Sequence, residues 1–293
     1  MIKSILLSMR PRQWLKNTFV FAALIFARQF TSSGKVLTTL IVFVIFSLLS
    51  GAVYLTNDVV DIEEDRRHRE KSGRPIAAGR LSPGPALAAA LVSSLAALAG
   101  AFMIGPNLGL IAAAYLLLMG SYSLLLKRIV IVDVLAISFG FILRALAGGV
   151  AIDVPISEWL LICTFLLALF LALCKRRHEL VLLGNNASDH REILTEYSAD
   201  LLDQMIAVVT SSTVMAYALY TLYPRTRIEV SPRLYYSIPF VLYGIFRYLY
   251  LVHRKAGGGE PGRTLFTDRA LLIDVLLWVV SIILILHFFP PTH

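Results

Sequence analysis

Long apolar runs, each about long enough to cross a bilayer, divide the chain. We place nine of them, at about 17–31, 36–56, 85–104, 108–126, 129–150, 157–174, 203–223, 233–252 and 270–289. A backbone in lipid must form its hydrogen bonds internally, so runs of about 20 apolar residues are expected to be helices. Only 16% of the residues are charged, against roughly 25% in soluble domains. The sequence therefore predicts an all-α, polytopic membrane protein with a single helical domain over residues 1–293.

The positive residues indicate the orientation of these helices. Twenty of the 27 Lys and Arg residues fall on one side of the predicted membrane and five on the other, while Arg144 and Arg247 lie within spans. Because cytoplasmic loops are enriched in Lys and Arg, we expect the N-terminus inside the cell and the C-terminus outside. Contact with anionic lipid explains most of the net charge of +8. No nucleic-acid partner is predicted.

Acidic residues are concentrated just after the second predicted span, in NDVVDIEED. On a helix, Asn57, Asp58, Asp61 and Asp65 share an arc of about 100°. Carboxylates on one face repel each other unless they are paired, and a divalent cation offsets this repulsion. Magnesium prefers a few carboxylates together with phosphate oxygens. We predict Asp58, Asp61 and Asp65 as metal ligands and count them, with Asn57, as catalytic residues; the alternative is an ordinary acidic helix end paired with the arginines that follow.

Six basic residues follow the acids directly: Arg66, Arg67, Arg69, Lys71, Arg74 and Arg80. Guanidinium and ammonium groups bind phosphate oxygens that a metal leaves uncovered. Acids for a metal beside bases for phosphate suit a diphosphate leaving group. The alternative for some of these bases is contact with anionic lipid.

Five further residues are candidates for binding an anionic substrate. Arg144 lies inside the fifth span, where a charge is costly and usually faces a cavity; the alternative is a structural pair. Lys127 ends the fourth span and can reach a phosphate or extend toward the membrane surface. Lys16 and Asn17 are phosphate contacts or interfacial anchors. Tyr122, about one turn from Lys127, is a weaker candidate.

The stretches NDVVDIEEDRRH and RPIAAGRLS together resemble a known motif. They are similar to the first aspartate-rich motif of the UbiA superfamily of intramembrane prenyltransferases, N-D-x-x-D-x-x-x-D, which Asn57, Asp58, Asp61 and Asp65 match position for position. The resemblance covers essentially the whole chain. It implies about nine transmembrane helices around a central cavity that opens to the membrane on one side. The motif loops are then expected near 57–84 and 175–200, on the cytoplasmic side.

One departure from the family pattern bears on the substrate. Aromatic prenyltransferases of the family carry a second aspartate-rich motif after the sixth span. Here the corresponding stretch begins KRRHEL, with three bases before the nearest acid. We therefore expect Lys175, Arg176, Arg177 and Glu179 to bind a second phosphate rather than a second metal ion.

That combination resembles the decaprenyl-phosphate phosphoribosyltransferase branch, whose members also begin with segments like RPRQWLKN (Arg10 to Asn17). The resemblance implies Mg²⁺-dependent transfer of 5-phosphoribose from phosphoribosyl pyrophosphate to a polyprenyl phosphate in the plasma (inner) membrane, with the active site facing the cytoplasm. The substrate-binding set is then Lys16, Asn17, Arg66, Arg74, Tyr122, Lys127, Arg144, Lys175, Arg176, Arg177 and Glu179. The alternatives are a UbiA-type aromatic prenyltransferase that uses a prenyl diphosphate, and a transporter or lipid-binding membrane protein. The oligomeric state is left open.

Overall fold

A computed structural model describes residues 1–67, 71–183, 193, 196–254 and 261–290, and this part of the chain contains helices and no strand. The α-helices are α1 (Ile2–Ser8), α2 (Phe21–Phe26), α3 (Ser33–Val60), α4 (Ile62–Arg67), α5 (Pro83–Ile104), α6 (Pro106–Leu124), α7 (Val132–Ala151), α8 (Glu158–Leu183), α9 (Ala199–Leu222), α10 (Pro224–Glu229), α11 (Ile238–Arg254), α12 (Pro261–Thr267) and α13 (Arg269–Phe288). Seven of these described helices, α3, α5 to α9 and α13, are long and apolar enough to cross a membrane. The predicted all-α membrane class is confirmed.

Two of the nine predicted spans are only partly α-helical in the structure. The first consists of a 3₁₀ helix, Pro11–Val20, followed by the six residues of α2. The eighth consists of a 3₁₀ turn, Leu234–Ser237, followed by the 17 residues of α11. Hydropathy measures how apolar a segment is, but it does not show where the backbone leaves α-helical geometry.

A further difference concerns the expected loop near 175–200. Helix α8 continues past the predicted span end at 174 and includes KRRHEL. Leu, Arg, Lys and Glu are strong helix formers, and bases three and four residues before an acid can pair with it along a helix. Residues 184–192, 194 and 195 lie outside the described part of the chain.

Local sequence accounts for several helix ends. Pro83 and Pro106 occupy the first turns of α5 and α6, where the missing N–H is not needed. The side chains of Ser198 and Asp268 accept backbone hydrogen bonds at the N-termini of α9 and α13. Gly79 turns the segment between α4 and α5, and its φ of 73° lies in the left-handed region that glycine adopts at little cost.

The chain forms two compact units. The first contains Met1–Leu24 and Ser32–Pro155. Its core consists of apolar faces of α3, α5 and α6, with Phe46 and Tyr115 in contact at 5.2 Å between ring centroids. Beside that core, Met9 packs against α3 and the start of α5. This second cluster holds the N-terminal segment next to the end of α3 that carries the acidic stretch.

The second unit contains Ile25–Thr31 and Ile156–His293. Its core is partly aromatic and includes Tyr217 and Tyr220 of α9 and Ile282 of α13. The Tyr217 hydroxyl is 2.7 Å from Ser237 Oγ and accepts a hydrogen bond from Trp278 Nε1 at 3.2 Å. The hydroxyl therefore has partners in an apolar setting, as a buried polar group requires.

Large apolar side chains also cover the outside of the spanning helices. Leu91, Met103 and Leu117 are 61%, 87% and 72% exposed. Such surface would be costly in water but is the surface that lipid tails contact. It agrees with a chain that lies in a membrane.

Candidate active site

The acidic stretch lies where α3 ends and α4 begins. The N–H of Asp61 donates to the carbonyl of Asn57 at 2.9 Å, and the N–H of Asp65 donates to the carbonyl of Asp61 at 2.8 Å. These bonds span four residues each, so helical spacing continues across the junction between the two helices. Side chains four residues apart therefore stay on the same side of the chain.

Asp58 is the most enclosed of the acids, at 1% exposure. Its Oδ1 atom accepts hydrogen bonds from Arg10 Nη2 and, at 3.2 Å, from Arg74 Nη1. Its Oδ2 atom is buried and has no hydrogen-bond partner among the described residues. A buried carboxylate oxygen without a partner is costly, and so Asp58 has one oxygen held by guanidinium groups and one available to a ligand.

The other two aspartates are also paired with bases. Arg74 Nη1 donates to Asp65 Oδ2 at 2.5 Å, so Arg74 joins Asp65 to Asp58. Lys127 Nζ donates to Asp61 Oδ1 at 2.5 Å, and Asn57 Nδ2 donates to Asp61 Oδ2 at 2.9 Å. The predicted residues Arg74 and Lys127 therefore do contact the predicted acids.

This donor set fits a hard divalent cation in composition. Carboxylate oxygens and an amide oxygen are the ligands that magnesium prefers, and the partnerless Oδ2 of Asp58 is one such atom. In the structure each of these acids is paired with a base. No three acidic, His or Cys side chains of the described chain come together as a metal site. Binding a cation therefore requires the carboxylates to exchange partners. The assignment of Asp58, Asp61 and Asp65 to a metal stays a prediction.

Arg10 contacts the acidic stretch but is not among the site residues predicted from the sequence. It contacts Asp58 and lies with its guanidinium carbon 4.8 Å from the ring centroid of Tyr54, one turn before Asp58 on α3. Its φ of 52° places it in the left-handed region, which is uncommon for an arginine. The segment RPRQWLKN was the available signal, but it does not show that its first arginine contacts an acid 48 residues away.

Asn17 and Arg144 lie in a buried hydrogen-bond network. Arg144 Nε donates to Asn17 Oδ1 at 2.7 Å, and Asn17 Nδ2 donates to the hydroxyls of Ser47 and Ser50 at 3.1 and 3.2 Å. Arg144 also donates to Tyr115 Oη at 2.6 Å and to a backbone carbonyl one turn earlier in α7. The network ties the Pro11–Val20 segment to α3, α6 and α7. Each of these two predicted substrate ligands thus contacts neighbouring protein groups.

The other predicted ligands in the first unit are dispersed. The side chain of Arg66 is 48% exposed and bonds to Glu63 at 2.7 Å and to the carbonyl of Ala77 at 3.4 Å, rather than to the three aspartates. Lys16 lies on the 3₁₀ helix beside Asn17 and is half-buried. Tyr122 packs against the apolar core near the end of α6.

The basic group in the second unit lies on α8 and is already engaged with acids. Arg176, whose side chain is 2% exposed, donates to Glu179 Oε2 at 2.5 Å, and Lys175 lies 3.6 Å from Glu179 Oε1. Arg177 forms two hydrogen bonds with Asp203 of α9, one of them at 3.1 Å from Nη2 to Oδ2. Lys175 has the most exposed side chain of the three bases, at 40%. It is therefore the one best placed to contact a ligand.

Known proteins resemble the chain along almost its whole length. Residues 17–179 match the UbiA prenyltransferase family. A Mycobacterium tuberculosis protein named decaprenyl-phosphate phosphoribosyltransferase is 34% identical, over 96% of this chain and 94% of its own length. A Corynebacterium glutamicum protein of the same name is 32% identical, over 97% of this chain and 86% of its own length.

Solved structures extend the likeness to the fold. A UbiA homologue from Archaeoglobus fulgidus, solved bound to GPP and Mg²⁺, superimposes with a TM-score of 0.72, covers 96% of this chain and 99% of its own, and is 17% identical. At that identity the match supports the arrangement of the helices and not a shared substrate. The helices and the family together identify an integral membrane protein.

Proposed function

The chain belongs to the UbiA prenyltransferase family, and from this premise we propose that it transfers 5-phosphoribose from phosphoribosyl pyrophosphate to a polyprenyl phosphate and releases pyrophosphate. The observation that carries this proposal is the alternation of three aspartates with three bases in one site. Acids can hold a cation and bases can hold phosphate oxygens, which is what a diphosphate leaving group needs. The names of the bacterial relatives support the choice of donor and acceptor.

Asp58, Asp61 and Asp65 would hold Mg²⁺ on the donor diphosphate. When bound, this ion supplies Lewis-acid neutralisation of the charge that develops on the departing pyrophosphate. Arg74 and Lys127 already lie against these acids and would bind the diphosphate oxygens that remain. The bond from ribose C1 to the diphosphate breaks with its electron pair on oxygen, and a bond from C1 to a phosphate oxygen of the lipid forms. The lipid phosphate is ionised at neutral pH, so the chain does not have to provide a strong base.

The second phosphate of the donor requires its own cationic site. The bases of the KRRHEL segment are the candidates that the sequence offers for binding a phosphate there, and Lys175 comes first because of its exposure. Arg176 and Arg177 would support that site through Glu179 and Asp203. Two phosphate sites distinguish a phosphoribosyl donor from a prenyl diphosphate, which carries anionic groups at one end only.

The setting of the reaction follows from the charge pattern. With 20 of the 27 Lys and Arg residues on the acidic-motif side, we place the active site at the cytoplasmic face of the plasma membrane, the N-terminus inside and the C-terminus outside. Phosphoribosyl pyrophosphate then arrives from the cytoplasm and the polyprenyl phosphate from the bilayer. No nucleic-acid partner is proposed.

The test is a transfer assay with alternative donors. Purified protein is mixed with polyprenyl phosphate, Mg²⁺ and phosphoribosyl pyrophosphate labelled in the ribose. The label should move into the organic phase as pyrophosphate is released, and chelation of Mg²⁺ should stop both. Product formed instead from a prenyl diphosphate and an aromatic acid would favour the aromatic prenyltransferase. Absence of pyrophosphate release with either donor would favour a transporter or lipid-binding protein.

A further inference from the structure

The charges of the proposed metal face cancel within the protein. Asp58 contacts Arg10 and Arg74, Asp65 contacts Arg74, and Asp61 contacts Lys127. Three carboxylates thus have three basic partners. A cation that approaches these acids meets positive charge already in contact with them, and the repulsion weakens its binding.

Of the three bases, Arg10 and Lys127 can move away from the aspartates with the least disturbance of the other ion pairs. Each contacts one of the three aspartates, whereas Arg74 joins two of them. The ammonium group of Lys127 lies at the end of a flexible four-carbon side chain. Arg10 keeps its contact with the Tyr54 ring when it releases Asp58, because that contact is to the aromatic face and not to the carboxylate.

We infer that Arg10 and Lys127 are exchangeable counter-ions of this site. The divalent cation takes the carboxylates of Asp58 and Asp61, and the two bases move to the oxygens of the donor diphosphate. The buried Oδ2 of Asp58, which has no hydrogen-bond partner among the described residues, gains a ligand in this exchange. This inference rests on the proposed function, because the diphosphate is the anion that receives the bases.

The exchange makes the cation and the diphosphate bind cooperatively. Diphosphate withdraws the bases from the acids and so favours the cation, and by linkage the cation favours diphosphate by the same factor. Removing an exchangeable base therefore has opposite effects on the two ligands. The cation alone binds more tightly, because its competitor is gone, while the diphosphate loses a ligand and binds more weakly.

The experiment measures both ligands on the purified full-length protein. Binding of Mn²⁺ alone is followed by the electron paramagnetic resonance signal of the free ion, and binding of ³²P-labelled pyrophosphate is followed at a fixed free Mg²⁺ concentration. Arg10→Ala should bind Mn²⁺ alone about tenfold more tightly and pyrophosphate about tenfold more weakly, within the usual range of coupling between sites. Arg10→Lys, which keeps the charge, should restore both affinities toward those of the unchanged protein.

Arg12→Ala is the matched control. Arg12 lies two residues away, in the first turn of the 3₁₀ helix that Arg10 precedes, and is exposed. Arg12→Ala removes one positive charge from the same segment. It should change the affinities for Mn²⁺ and pyrophosphate by no more than about twofold, as expected for an exposed charge screened by salt. An equal effect of Arg12→Ala would mean that general electrostatics, not exchange, sets the affinities, and the inference would fall.

A second variant keeps the test decisive if Arg10→Ala does not fold. Lys127→Ala frees Asp61 in the same way and should show the same opposite changes. Weaker binding of Mn²⁺ alone in the folded variants, or no change in it, would overturn the exchange. Because these measurements use no phosphoribosyl donor, that failure differs from failure of the proposed function, which would show as absent transfer in the unchanged protein.

Discussion

Asn17 and Arg144 are 127 positions apart in the chain and share a buried 2.7 Å hydrogen bond. The bond connects the Pro11–Val20 segment to α7. Asn17 also donates hydrogen bonds to Ser47 and Ser50 of α3. The segment begins next to Arg10, which contacts Asp58. A contact far from the aspartates in sequence thus helps to position a base that lies against one of them.

Substitution of Arg144 should destabilise the first unit. Arg144→Met removes the donors to Asn17 and Tyr115 and leaves both acceptors buried without that partner. We expect a loss of about 2–4 kcal/mol, since each unsatisfied buried group costs about 1–3 kcal/mol. Thermal unfolding in detergent measures this, with Tyr115→Phe as the milder comparison at about 1 kcal/mol. Equal melting temperatures for Arg144→Met and the unchanged protein would contradict a structural role for the network.

Substitution of Asp58 should abolish most of the transfer activity. Asp58→Asn keeps the shape of the side chain but removes the charge that we assign to the cation. If the ion stabilises the leaving group by several kcal/mol, the rate should fall by about 100- to 1000-fold. The control is Glu63→Gln in the same stretch, whose side chain is 68% exposed and pairs only with Arg66 among the described residues; it should stay within about twofold of the unchanged rate. Normal turnover by Asp58→Asn would remove Asp58 from the metal site.

Gly148 should not tolerate a side chain. A Cβ atom there would lie 1.9 Å from the carbonyl oxygen of Val20, so Gly148→Ala must push the 3₁₀ segment away from α7. We expect a loss of about 1–3 kcal/mol, as for an overpacked core, together with reduced transfer. Gly120→Ala in α6 is the control, since its Cβ would meet nothing within 4 Å; alanine should leave the stability unchanged or raise it by about 0.5–1 kcal/mol. Thermal unfolding should therefore show a lower melting temperature for Gly148→Ala and an unchanged or higher one for Gly120→Ala.

Substitutions of two α8 bases should have different effects, because we assign Lys175 to ligand binding and Arg177 to a contact within the protein. Lys175→Ala should raise KM for phosphoribosyl pyrophosphate by roughly tenfold, the effect of one lost charge-assisted hydrogen bond, with little change in melting temperature. Arg177→Ala breaks two hydrogen bonds to Asp203 and should lower the melting temperature as well. Kinetics at several donor concentrations, together with thermal unfolding, distinguish the two. A Lys175→Ala enzyme with an unchanged KM would place the second phosphate elsewhere.

Much of this protein could be predicted from local sequence. The lengths of the apolar runs were enough for the helical membrane class, and the N-D-x-x-D-x-x-x-D spacing was enough to identify the family, because both depend on residues close together in the chain. Arg74 and Lys127 contact the acids, and their role as substrate ligands stays a prediction. The apolar pattern was least informative where the backbone is irregular: the 3₁₀ segment Pro11–Val20 runs into the start of the first predicted span and leaves only the six residues of α2 in α-helical form.

The amino-acid sequence by itself determined that the chain forms apolar helices and carries an acidic face at the end of one of them, since helical periodicity and transfer from water to lipid act on neighbouring residues. Tertiary structure decided which base pairs with which acid. Arg10 reaches Asp58 from 48 positions away and Lys127 reaches Asp61 from 66, contacts that no local period encodes. Met9, next to Arg10, packs against α3, and Lys127 lies on the 3₁₀ turn that follows α6. Packing of distant segments therefore sets the charge balance of the site.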